Sequence, residues 1–221
     1  MLELLRQQVW EANVALPHNH LTMWTSGNAS GRDEATGLVV IKPSGVEYDR
    51  LTPNDLVVVD LDGAIIEGRL RPSVDTASHL YIYRHRPDVG GVVHTHSPFA
   101  TSFAIRGEPL PMYTTTSAAV FGIEIPVTAL ATIGDEEIGR EVVEGIGTAT
   151  AILVRRHGVF TIGPSAMAAL KSAVILEETA QVVHYARLRG PIDPLPAETV
   201  VRGYRVYHET YGQASPAGAR D

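Results

Sequence analysis

The chain has 221 residues, 44% hydrophobic and 19% charged, with a net charge of −7 and no cysteine. That length fits one domain with a sizeable core, and the acidic balance excludes a general nucleic-acid binder, which needs a basic stripe. Disulfides and thiolate metal sites are excluded with cysteine, and without a basic-then-apolar leader or an apolar run of ~18 residues the expectation is no membrane and a cytoplasmic location.

Leu2, Leu5, Val9 and Ala12 recur at helical spacing, so residues 1–16 read as an amphipathic helix closed by Pro17. Thr25-Ser26-Gly27-Asn28-Ala29-Ser30-Gly31 reads as a loop of small residues. Such a loop lets backbone N–H groups approach an anion, although most runs of this kind are plain turns. The strand at 38–41 delivers Lys42-Pro43-Ser44-Gly45, where a cation, a hydroxyl and a glycine meet at a strand end. Residues 56–60 form a further strand, and Asp62-Gly63 turns it back into 64–67. Arg71-Pro72-Ser73-Val74-Asp75 opens a helix to about Arg86, stopped by Pro87, with Ser73 as a cap and Asp75 in the first turn.

Gly91-Val92-Val93-His94-Thr95-His96 reads as a buried strand, in which His94 and His96 share a face. Two neutral imidazoles side by side are ligands for a borderline divalent metal; the plainer alternative is two histidines on an edge strand. Ser97 and Pro98 then suit the N-cap and first position of a helix. Residues 112–116 and 124–128 read as strands joined by a loop containing Ala118-Ala119-Val120-Phe121-Gly122. Asp135 starts a helix with Ile138, Val142 and Ile146 on one face. Strands at 151–154 and 159–162 flank a tight turn at His157-Gly158, from which His157 offers a third imidazole. Ser165 caps a long helix to about Arg189, ended by Gly190-Pro191. His79, His85 and His184 fall in helices and read as solvated or structurally bonded. The closing segment holds Tyr204, Tyr207, His208 and Tyr211-Gly212-Gln213, and residues 214–221 read as a disordered tail. With no repeat and no linker, residues 1–213 form one domain.

Five motifs, in order, carry a resemblance: Gly27-Asn28 in WTSGNASGRD, IKPSG at 41–45, RPSVDTASH at 71–79, GGVVHTHS at 90–97 and RRHGVFTIG at 155–163. The sequence resembles the class II aldolase / L-ribulose-5-phosphate 4-epimerase family from about Leu16 to Gln213. The resemblance implies an α/β fold, a three-layer α/β/α sandwich with a largely antiparallel central sheet. It implies a divalent metal, foremost Zn2+ with Mn2+ or Co2+ as alternatives, held by His94, His96 and His157. Asp75 would stand beside the ion as an occasional ligand or as the group that handles the substrate proton. The substrate would be a phosphorylated sugar, its phosphate held by Gly27, Asn28, Lys42, Ser44, Gly45 and Ser73. Val74 stands where relatives commonly carry another serine. The resemblance also implies a homotetramer with sites between subunits, where Tyr211 acts on the neighbouring subunit's metal.

Both branches of the family cut a carbon–carbon bond through a metal-bound enediolate. An aldolase releases dihydroxyacetone phosphate and an aldehyde, whereas the epimerase rotates the aldehyde and rejoins it on its other face. IKPSG, the Asp of RPSVD and the closing Tyr-Gly-Gln match the epimerase branch. The loop TTTSAAVFG departs from it, because Ala119 replaces the epimerase's acid/base aspartate and Ser117 its histidine. Thr115 replaces the tyrosine of the fuculose-type aldolases. Epimerisation needs a proton donor on each face of the aldehyde and cleavage needs one. The expectation is therefore an aldolase with Asp75 and Tyr211 as catalytic residues. A sugar-phosphate 4-epimerase is the alternative, and a non-catalytic sugar-phosphate binding protein the third reading.

Overall fold

Runs of β-branched and apolar residues form most of the strands: β2 (Val39–Ile41), β3 (Val57–Val59), β5 (Gly91–Thr95), β6 (Ala151–Val154) and β7 (Gly158–Gly163). With β1 (Asn28–Arg32) and β4 (Ile65–Glu67) they make one seven-stranded sheet in the order β4-β3-β2-β1-β5-β7-β6. Every adjacent pair is antiparallel. A computed structural model gives this architecture for residues 2–211; Gly212, Gln213 and the expected tail at 214–221 lie outside the described residues. Among those described, no helix is long and apolar enough to cross a membrane.

Alternation along the strands divides the core in two. Val39, Val57, Val59 and Val92 pack on one face beneath α2 (Thr76–His85) and α5 (Glu137–Ile146). Val40, Val58 and Val93 pack on the other beneath α1 (Glu3–His18) and the start of α6 (Ala166–Arg187). A third apolar cluster joins α3 (Pro98–Arg106), α4 (Thr115–Phe121), the far half of α6 and Val200 of α7 (Ala197–Thr210). Helices thus cover both faces of the antiparallel sheet, giving the expected three layers.

The site depends on how closely β5 is held. A Cβ at Gly91 would lie 2.2 Å from backbone atoms of Ser165 and Ala166, so only glycine lets β5 begin against the start of α6. Ser165 caps α6 through its side chain, as expected, and Pro98 opens α3 directly after Ser97.

Several expectations are corrected. Part of the 25–31 loop is strand β1, paired on both sides to β2 and β5. The expected strand at 112–116 and the loop at 118–122 are instead largely helix α4. Thr114 caps it, Gly122 ends it in the left-handed region, and Tyr204 of α7 packs on that glycine. Residues 124–128 make only isolated bridges, Leu110 to Ile125 and Val127 to Leu153. The closing segment contains the unanticipated α7. Helix α2 starts at Thr76, and α1 continues through Pro17 to His18.

Candidate active site

The strand β5 and the β6–β7 hairpin bring three imidazoles together. His94 lies mid-sheet, opposite Asn28 on β1 and Phe160 on β7. His96 follows two residues later on the same face, and His157 occupies the hairpin turn, where Arg156 takes φ 58°. Gly158 lets this turn approach, since a Cβ there would meet the Thr95 carbonyl at 2.4 Å and the His96 ring at 2.8 Å. One nitrogen of each of the three rings lies within 4.8 Å of the others.

The donor chemistry fits a metal. His94 Nδ1 donates to the Val159 carbonyl at 2.8 Å, which turns its Nε2 lone pair toward the cluster. Nε2 of His157 lies 3.2 Å from it. Two lone pairs that close repel unless a proton or cation joins them, and 3.2 Å is near the ~3.3 Å edge of a tetrahedron with Zn–N bonds of ~2.0–2.1 Å. Burial lowers the pKa of all three rings. For His94 it acts with the neighbouring imidazoles and outweighs Asp75, giving about 3. Neutral imidazoles are the form that ligates.

Asp75 stands at the N-cap position of α2 without capping it. Its Oδ2 instead accepts from Asn28 Nδ2 at 2.7 Å and Ser73 Oγ at 3.3 Å. Burial pushes its pKa up, but His94, His79, the Asn28 amide and His157 together outweigh that and hold the carboxyl below its usual range. Asp75 therefore faces the cleft as a carboxylate beside the three-histidine cluster.

All six expected phosphate contacts line this cleft of about 300 Å³, with Asp75, His96 and His157. Gly27 takes φ +75°, and a Cβ there would collide with Thr22 and the His94 carbonyl. Lys42 is 1% exposed and makes no ion pair among the described residues. Among the described residues its Nζ reaches the Thr25 and Pro43 carbonyls, at 3.3 and 3.4 Å, and sits 4.7 Å from the centre of the Tyr48 ring. Val74 is exposed at the rim.

Sequence reasoning passed over Tyr48 and Glu177. The Tyr48 hydroxyl reaches the Ser26 and Gly27 carbonyls at 2.9 and 2.8 Å, so one ring supports both Lys42 and the small-residue loop. Its place soon after Lys42-Pro43-Ser44-Gly45 was the only signal. Glu177, buried on α6, accepts from the Phe99 and Ala100 amides at 2.8 Å each and fixes the start of α3 just beyond His96. His79 is structurally bonded, its Nδ1 2.7 Å from Ser30 Oγ, and burial lowers its pKa to about 4.

Burial lowers the Lys42 ammonium to about 8. The group therefore loses its charge as pH rises through about 8, while a sugar phosphate, with its second pKa near ~6, remains a dianion. KM for a phosphorylated ketose is expected to climb between pH 7 and 9, with the unphosphorylated parent nearly flat. Parallel profiles for the two substrates would remove Lys42 from the phosphate contacts.

Tyr211 does not reach this cleft. It is 74% exposed at the end of α7, where it lines an open groove of about 600 Å³ with Thr115, Ala119 and Tyr207. The positions of the family's alternative acid/base groups, Thr115, Ala119 and Tyr211, thus share one surface apart from the chain's own imidazoles.

Comparison with known proteins agrees with this geometry. Residues 7–184 match the family described as Class II Aldolase and Adducin N-terminal domain. The chain is 43% identical over 203 residues to L-ribulose-5-phosphate 4-epimerase UlaF of Salmonella paratyphi B, covering 86% of this chain and 88% of that protein. Among solved structures, an L-fuculose 1-phosphate aldolase superposes with a TM-score of 0.87 at 28% identity, over 92% of this chain and 96% of the other. The L-fuculose-1-phosphate aldolase of Thermus thermophilus gives 0.75 at 31% identity, over 87% and 98%. The chain belongs to the class II aldolase and adducin N-terminal domain family and is an enzyme of its aldolase and epimerase group.

Proposed function

We propose that the protein is a divalent-metal-dependent 4-epimerase of a pentulose 5-phosphate, L-ribulose 5-phosphate in the first instance, with zinc as its ion. The observation that carries this is the 43% identity to an L-ribulose-5-phosphate 4-epimerase over 86% of the chain. The sequence alone put an aldolase first because of Ala119; the relatives favour the epimerase that stood as the alternative.

In this reading Gly27, Asn28, Lys42, Ser44, Gly45 and Ser73 grip the phosphate through backbone amides, hydroxyls and the buried ammonium. His94, His96 and His157 hold the ion, whose chemistry is Lewis-acid polarisation of the ketose carbonyl and its neighbouring hydroxyl. Asp75 accepts and returns a substrate proton, oriented by Asn28 and Ser73. The C3–C4 bond breaks, giving a three-carbon enediolate and an aldehyde that carries the phosphate. Rotation of that aldehyde and reclosure of the bond invert C4. The enzyme is a cytoplasmic homotetramer in which the Tyr211 groove of one subunit faces the imidazole cleft of the next.

The test is zinc-loaded protein with L-ribulose 5-phosphate, followed for the C4 epimer. Epimer without accumulation of free fragments supports the reading. An aldolase is the second reading, favoured by Ala119 and by the close structural match to fuculose-phosphate aldolase. Release of dihydroxyacetone phosphate from L-fuculose 1-phosphate, with ribulose phosphate untouched, would establish it instead.

A further inference from the structure

Epimerisation requires a second proton-transfer group, and Ala119 cannot be one. The groove that Ala119 lines contains another. Lys171 of α6 lies with its Nζ 2.5 Å from the hydroxyl of Tyr207 on α7 and 4.9 Å from the centre of that ring. Lys171, Tyr207, Ala119 and Tyr211 together line one part of the groove. Tyr207 also stacks on Tyr211, with ring centres 4.5 Å apart and planes inclined by 21°.

The direction of the hydrogen bond matters. An ammonium only donates, so the Tyr207 oxygen accepts from Lys171 and its own O–H remains to donate elsewhere. A phenol held this way can give its proton and regain one from the adjacent ammonium. Ala119 presents only a methyl group beside the pair.

We propose that the Lys171–Tyr207 pair supplies the proton-transfer group that Ala119 lacks, with Tyr207 as the catalytic residue and Lys171 as its positioning residue. The inference rests on the epimerase reading and its intersubunit groove. On cleavage, the C4 hydroxyl gives its proton to the Asp75 carboxylate as the C3–C4 pair of electrons moves onto the three-carbon fragment. After rotation, that pair returns to the opposite face of the aldehyde carbon. The carbonyl oxygen becomes a hydroxyl by taking the Tyr207 proton, and the phenolate so formed regains one from the Lys171 ammonium. Solvent then takes the proton from Asp75 and returns one to Lys171, so no proton is gained or lost overall.

The test uses the zinc-loaded full chain and L-ribulose 5-phosphate. Tyr207→Phe keeps the ring and its stacking while deleting the hydroxyl. It is expected to lower kcat for C4 inversion by ~10²–10⁴-fold with KM within about threefold. Lys171→Met should cause a smaller loss of the same kind. Installing Ala119→Asp in the Tyr207→Phe background should restore at least about tenfold of the loss, whereas damage to packing alone would not be repaired by a carboxylate. Tyr207→Phe chains mixed with His96→Ala chains should together regain roughly a quarter of native activity, since each site draws its cleft and groove from different subunits. Native inversion that Tyr207→Phe leaves intact overturns this inference and spares the epimerase reading; a native protein that inverts nothing overturns both.

Discussion

Replacing His96 by alanine should strip the protein of its divalent ion and lower activity by ~10³-fold or more. The expected magnitude follows from the several kcal/mol that a Lewis acid contributes, each ~1.4 kcal/mol being tenfold in rate. Of the three imidazoles, His96 is the one whose loss should least disturb the fold. It lies beyond the paired residues of β5 and is the most exposed of the three rings though partly enclosed, whereas His94 is buried between Phe160 and the neighbouring rings. Elemental analysis of the dialysed variant, beside its melting temperature, separates metal loss from unfolding. A variant that keeps stoichiometric metal and near-native turnover would show that the cluster is not the metal site.

Asp75→Asn should leave metal content and fold nearly unchanged while kcat falls by ~10²–10⁴-fold, the range for loss of a general acid/base. Stability should survive because Asp75 makes no side-chain cap to α2. Metal should survive because the three imidazoles cluster without it, and its Oδ2 is already engaged by Asn28 and Ser73. In the native protein the depressed carboxyl pKa keeps Asp75 ionised well into acid, so its proton-accepting form is lost only as pH falls below the usual carboxylate range. Loss of metal in Asp75→Asn would make the residue a ligand; unchanged kcat would remove it from the proton chemistry.

What was legible in the sequence, and what was not, follows from where the information lies. The cleft was readable because its groups sit in short contiguous runs, Lys42 to Gly45, Ser73 to Asp75 and His94 to His96, whose chemistry is carried locally. Strand β1 was hidden because Asn28-Ala29-Ser30-Gly31-Arg32 has almost no strand propensity, and its conformation is imposed by β2 on one side and β5 on the other. Helix α4 was misread because its threonines and Val120 favour strands. Its helical state comes from the Thr114 cap, the Gly122 stop and packing against α7. Helix α7 did carry a signal, Val200, Tyr204, Tyr207 and Tyr211 at three- and four-residue spacing, which passed as a loose closing segment. The burial of Lys42 over Tyr48 and the meeting of Lys171 with Tyr207 link residues 6 and 36 positions apart. No local pattern announces such pairs.

The clamp of Glu177 on the start of α3 has a dynamic consequence. The first amides of a helix have no partner within it and ordinarily exchange with solvent hydrogen as soon as water reaches them. Here the Phe99 and Ala100 amides are tied to a buried carboxylate from the middle of the longest helix, so they should exchange at the slow rate of the α6 core. Those two amides adjoin the segment that carries His96. Their exchange rate thus reports how often this end of the active site opens, and Glu177→Gln should quicken it before any change in global unfolding is seen.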